Sequence, residues 1–269
     1  MLQMCSGIDP AANTVTLVEA VARAAGEGAA LLFTPEMSGL IDRNRKRAAP
    51  HIVAETDNPV LGAVREAAAR HGVWVALGSL AVDVGESSAN RSLLIAPDGA
   101  IAARYDKIHM FDVDLASGES WRESNAYRPG GAVVVAAGTP LGRLGLTVCY
   151  DIRFPALFEQ LGRAQCDAIA IPAAFTVPTG AAHWHLLQRA RAVEASAWVI
   201  AAAQTGSHAD GRETYGHSLV VDPWGEVVLD MGTAPGLGFA TIDPARTAQV
   251  RAQLPSLANR REIPRWSAG

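Results

Sequence analysis

The chain has 269 residues, 49% of them hydrophobic and 19% charged, which excludes a disordered polymer and supplies enough apolar mass for one large core. The formal net charge is -4, and the one basic cluster, Arg43-Asn-Arg-Lys-Arg47, is short enough to be a solvated loop, so a general nucleic-acid binder is excluded. Three scattered cysteines, Cys5, Cys149 and Cys166, make no disulfide framework and fit a reducing cytoplasm.

Leu2-Gln-Met-Cys5 reads as the tail of a first strand, begun a few residues late, and Thr14 to Glu27 as a helix with Leu17, Val18, Val21 and Ala24 on one side. Glu19, Arg23 and Glu27 interrupt the only apolar stretch near the start, so neither a signal peptide nor a membrane span is expected. Ala29 to Thr34 is a short apolar run that delivers Glu36 to the carboxyl end of a buried parallel strand. Asn58 to His71 follows as a helix, Val73 to Ser79 as a strand, and Asn90 to Tyr105 as a hairpin turning at Pro97-Asp-Gly99. Asn90-Arg-Ser92 fits a glycosylation sequon, which has no meaning in a reducing cytoplasm. The apolar run Gly145 to Val148 ends on the thiol of Cys149, at the sheet edge where α/β folds bind ligands.

The second half repeats the order of the first. Asp167 to Pro172 is a strand, His183 to Ser196 a helix, Trp198 to Ala203 a strand, and Ser218 to Leu229 a hairpin turning at Pro223-Trp-Gly225. Two halves of this kind predict two mixed sheets packed face to face with helices outside, a four-layer αββα sandwich. Nothing reads as a linker, so residues 1–269 are expected to form a single domain.

Glu36, Lys107, Glu123 and Cys149 all fall at predicted strand ends or in the loops that follow. Each of the charged three alone would pass for a solvated group, and Cys149 for a structural thiol. Together they are a chemical set. A thiol needs a base and gains from a nearby cation, which Glu36 and Lys107 supply. Attack on an amide carbon builds an oxyanion, for which the Lys107 ammonium and the backbone N–H of Tyr150 are the expected donors. Glu123 is expected to hold Lys107 or to help position water. Arg153 and Phe175 follow strands that open on the same edge, and a fixed guanidinium would suit an anionic substrate.

The stretches Phe33-Thr-Pro-Glu36, Tyr105-Asp-Lys107-Ile-His-Met-Phe-Asp112, Arg122-Glu123-Ser124 and Val148-Cys149-Tyr-Asp-Ile-Arg-Phe-Pro155 resemble the nitrilase, or carbon-nitrogen hydrolase, superfamily. The resemblance runs over nearly the whole chain. It implies a glutamate base at Glu36, a lysine at Lys107, a second glutamate at Glu123 and the nucleophile at Cys149. It further implies the αββα sandwich, thioester catalysis without metal or cofactor, and a homodimer or higher homo-oligomer. Phe111-Asp-Val-Asp114, Pro178 to Trp184, Arg189 to Glu194 and Tyr215 to Gly225 look like the amidases acting on small dicarboxylic acid monoamides, either deaminated glutathione amidases or omega-amidases. Ala201 to Gly206 and Gly211 to His217 look closer to the first group. His185 departs from that pattern, which places a glutamate there.

The expected reaction is hydrolysis of a linear amide to carboxylate and ammonia through a Cys149 acyl-enzyme, on a small-molecule substrate. The rivals are an omega-amidase on α-keto acid monoamides, a nitrile or carbamoyl hydrolase, and a non-catalytic scaffold that keeps the fold. His183 and His185 are two apart on a helix and point in different directions, so no metal is expected from them. Arg189, Arg191 and Glu194 are expected to form surface or interface ion pairs rather than substrate contacts. No P-loop, no GxGxxG after a strand and no GxSxG elbow occurs, which leaves nucleotide and serine-hydrolase readings without support.

Overall fold

The computed structural model describes residues 1–116, 118 and 120–267. The fold is mixed α/β, and its two larger sheets repeat one pattern. In the first, Leu31–Phe33 lies parallel to Trp74–Asp83, which pairs antiparallel with Ser88–Ile95, itself antiparallel to Ile101–Asp106. In the second, Ala168–Ala170 lies parallel to Trp198–Ala201, followed by antiparallel Leu219–Val221 and Val227–Asp230. The second sheet then extends on its other side through Gly142–Leu146, parallel to Ala168–Ala170, and the antiparallel edge strand Val134–Thr139. That edge strand was not foreseen. Leu2–Gln3 joins neither large sheet but pairs with Gly236–Leu237.

Strand alternation sorts the first sheet's side chains into two cores. Leu32, Val75, Leu77, Leu93 and Ile95 pack with Leu17 and Val21 of the Pro10–Gly26 helix and with Leu61 and Val64 of the Pro59–His71 helix. Their neighbours Phe33, Ala76, Leu94 and Tyr105 share a core with the strands of the second sheet, with Phe158 and Leu161 of the Pro155–Arg163 helix and with Trp184 of the Val177–Ala195 helix.

Helix starts obey local chemistry. The Asp9 side chain accepts from the Ala11 N–H ahead of Pro10, and that of Asn58 accepts from Leu61 ahead of Pro59. Pro178 likewise sits in the first turn of Val177–Ala195. Two helices therefore begin several residues before the apolar periodicity that predicts them.

Glycine is required at position 78. A Cβ on Gly78 would lie 2.0 Å from the Thr34 carbonyl oxygen, 2.6 Å from that of Pro35 and 2.7 Å from the Pro172 Cβ. These are backbone and ring atoms beside Glu36 and Cys149 and cannot yield cheaply. Gly78→Ala is expected to cost at least ~1–3 kcal/mol in urea denaturation, as overpacking does. A variant as stable as the parent would contradict this close approach.

Candidate active site

Each functional side chain leaves a strand end or the turn beyond it. Glu36 follows Leu31–Phe33, and its backbone is fixed by Gln204, whose amide donates to the Glu36 carbonyl at 2.9 Å. Lys107 follows Ile101–Asp106, its N–H donating to the Asn90 carbonyl at 2.9 Å. Glu123 opens a short 3₁₀ turn after Ser120–Arg122. Cys149 follows Gly142–Leu146 and begins the 3₁₀ turn Cys149–Arg153 with φ 49°, a left-handed conformation uncommon outside glycine. The strain is held from several sides. The Cys149 N–H donates to the Pro172 carbonyl at 2.8 Å, and the Asp151 carboxylate accepts from the Val148 N–H at 2.9 Å and the Tyr105 hydroxyl at 2.6 Å. His109 adds its N–H and Nδ1 to the other Asp151 oxygen, at 3.1 and 2.7 Å. Arg191 is buried and donates to the Ile152 carbonyl from the Val177–Ala195 helix. It also pairs with Glu194 at 2.7 Å, the ion pair the sequence predicted, though from a buried position, whereas Arg189 donates to the Gly225 carbonyl at 2.7 Å and is in no ion pair among the described residues.

The four predicted residues converge. Lys107 Nζ lies 2.9 Å from Glu36 Oε1 and 3.0 and 2.8 Å from the two oxygens of Glu123. Lys107 is 2% exposed, Glu36 5% and Cys149 8%, so the ammonium, the carboxylate and the thiol meet largely shielded from solvent. Asn90 Nδ2 donates to both carboxylates, at 2.9 Å to Glu36 and 3.2 Å to Glu123. Glu36 Oε2 accepts from the Ala174 N–H at 3.0 Å, and Glu123 Oε2 from the Phe111 N–H at 2.7 Å. Every carboxylate oxygen thus has a fixed donor.

The electrostatics follow from that packing. Burial opposes the charge on Lys107, but Glu123 and Glu36 more than offset it and hold the ammonium well above the ordinary lysine value. Burial first, and then the Glu36 carboxylate, push the Cys149 thiol well above its usual range, while Lys107 and the Ala174 N–H pull it back in part. Burial thus favours the neutral thiol, with the Glu36 carboxylate beside it.

These groups lie among the walls of a cavity of about 920 Å³, to which Tyr150, Arg153 and Phe175 also contribute. The Arg153 guanidinium lies 5.8 Å from the Tyr150 ring centre and 5.4 Å from that of Phe175. It has no carboxylate partner among the described residues; its recorded contact is His183 Nδ1 at 3.3 Å. Phe175 is backed by Trp184, ring centres 4.9 Å apart. His183 and His185 diverge, the second reaching Asp230 instead.

Asn90, Asp151, His109 and Arg191 were not foreseen as site residues. Asp151 and His109 lie inside the motif-bearing stretches, a signal that could have been followed. Asn90 carried only a sequon, and its buried amide meets two carboxylates.

The chain matches the carbon-nitrogen hydrolase family over residues 1–252. It is 41% identical over 267 residues to a protein of Yersinia enterocolitica named deaminated glutathione amidase, covering 98% of this chain and 92% of that one. Among solved structures, the nitrilase and fragile histidine triad fusion protein NitFhit of Caenorhabditis elegans superposes with a TM-score of 0.89 at 36% identity. That match covers 97% of this chain and 64% of the longer fusion. An amidase from Nesterenkonia sp. AN1, described with acrylamide added at its active-site cysteine, superposes with a TM-score of 0.77 at 26% identity, covering 95% of this chain and 96% of that one. The chain belongs to the carbon-nitrogen hydrolase family and is a hydrolase of amides.

Proposed function

We propose that the chain cleaves a linear amide bearing a carboxylate, of the deaminated glutathione class, through a thioester on Cys149. The observation that carries this reading is a Glu36–Lys107–Glu123 ion triad, largely shielded from solvent beside the Cys149 thiol, in the wall of a cavity that also presents the guanidinium of Arg153.

Glu36 takes the thiol proton as sulfur attacks the amide carbon. The oxyanion that develops meets the Lys107 ammonium and the Tyr150 N–H, and donors of this kind typically contribute about 3–4 kcal/mol each. Protonated Glu36 then gives its proton to the departing nitrogen, leaving ammonia from a primary amide or an amine from a secondary one. Glu36 next draws a proton from water, which opens the thioester and restores the thiol. Glu123 keeps Lys107 charged and in place. Arg153, stiffened by the Tyr150 and Phe175 rings, takes the substrate carboxylate. The cavity is large enough to admit a tripeptide-sized amide.

The two cores described above support a four-layer αββα sandwich formed by one domain. Among the described residues no helix is long and apolar enough to cross a membrane. A homodimer or higher homo-oligomer, from the sequence resemblance, and a cytoplasmic location without nucleic acid or membrane, from the scattered cysteines, the net charge and the sequence's lack of an apolar span, complete the reading.

Kinetics on deaminated glutathione, α-ketoglutaramate and a neutral amide test the assignment. Arg153→Ala is expected to raise KM for the anionic substrates by roughly 10–100-fold, the 1.5–3 kcal/mol of a hydrogen bond to a charged group, with little change on the neutral one. Equal losses on all three would remove Arg153 from substrate recognition. Equally poor wild-type rates on both anionic amides would remove the substrate class. A scaffold that only keeps the fold would show no acyl mass on Cys149 with any amide.

A further inference from the structure

We propose that His185, His217 and Asp230 form a binding site for a zinc-like divalent transition ion, apart from the catalytic triad. His185 comes from the Val177–Ala195 helix, His217 from the residues before Leu219–Val221, and Asp230 from the end of Val227–Asp230. Their donor atoms all lie within 4.8 Å of one another. His185 Nε2 is 3.0 Å from Asp230 Oδ2, and His217 Nδ1 is 2.9 Å from Asp230 Oδ1. A tetrahedral ion with bonds of about 2.0–2.2 Å holds its ligand atoms roughly 3.3 Å apart, so small side-chain adjustments suffice. Two imidazoles and one carboxylate suit zinc, nickel or copper rather than magnesium or calcium, and they leave a fourth position for water.

The donors are held in place by contacts that need no ion. His217 adopts φ 55°; its N–H donates to the Gly232 carbonyl at 2.6 Å, and its own carbonyl accepts from the Trp184 indole at 2.7 Å. Its ring stacks on Tyr215 with centres 4.5 Å apart, and His185 lies edge-on to the same ring at 6.3 Å. Asp230 Oδ1 also accepts from the Gly232 N–H at 2.9 Å. Fixed donors lose little freedom on binding. The three residues remain partly open to solvent, which gives an ion a way in. Residues 185, 217 and 230 are far apart in the chain, so the pairwise reading of His183 with His185 could not show the site.

Isothermal titration of chelator-treated full-length protein with zinc chloride, with cobalt absorption as a second readout, tests the proposal. One equivalent is expected per chain, lost in His185→Ala and Asp230→Ala and retained in Cys149→Ser, with a cobalt spectrum lacking thiolate charge transfer. Unchanged metal-free melting of His185→Ala would show that its loss of binding is not unfolding. No saturable equivalent would mean that the three residues only hydrogen-bond to one another. An equivalent lost in Cys149→Ser but kept in His185→Ala would place the metal at the thiol. Either result overturns the proposal.

Discussion

Lys107→Met is expected to cost about 3–5 kcal/mol of folding stability together with nearly all turnover, because it strips the ammonium from between the buried Glu36 and the part-buried Glu123 carboxylates. The lost stability reports the uncompensated charge of Glu36 and Glu123 more than any missing packing, since methionine fills much of the same space. The pH dependence carries the same signature. In the parent the lysine value is raised on folding, so its contribution is complete below the unfolded value of 10.5 and fades as pH climbs through the higher folded value. The methionine variant should instead gain stability on acidification, as the stranded carboxylates take up protons. Adding Glu123→Gln should recover part of the stability and none of the turnover. Urea denaturation alongside initial rates provides both readouts, and a Lys107→Met protein as stable as its parent would contradict the triad.

Glu36→Gln should slow kcat by about 10²–10⁴-fold, the range expected when a positioned proton carrier is removed. The amide keeps one acceptor oxygen but cannot satisfy both Lys107 and the Ala174 N–H, so a smaller stability loss accompanies the kinetic one. Intact mass should show acyl adduct forming on the parent and barely at all on the variant. In the parent, kcat/KM should lack an inflection near 8.5, the ordinary thiol value, because burial and Glu36 hold Cys149 well above it. A variant within tenfold of the parent would assign the base elsewhere.

Sequence carried the catalytic set because each member follows an apolar run or falls inside a motif-bearing stretch. Glu36 after Ala29 to Thr34 is the plainest case: a charge at the end of a buried strand needs either a partner or a task. The repeated halves also surfaced as two sheets with matching strand patterns. Residues whose meaning depends on contacts between distant segments stayed hidden. Asn90 bridges two carboxylates 54 and 33 positions away, and Asp151 gathers donors from residues 105, 109 and 148. Helix starts at Pro10 and Val177 were placed late because apolar spacing outweighed proline and capping signals. The Val134–Thr139 strand lacks a clean alternation, since only Ala136 and Thr139 are buried along it.

A sulfur that keeps its proton until an amide arrives is a poor target for peroxide, which consumes thiolates first. If Cys149 is the nucleophile we propose, the burial that raises its thiol pKa should also slow its oxidation between turnovers.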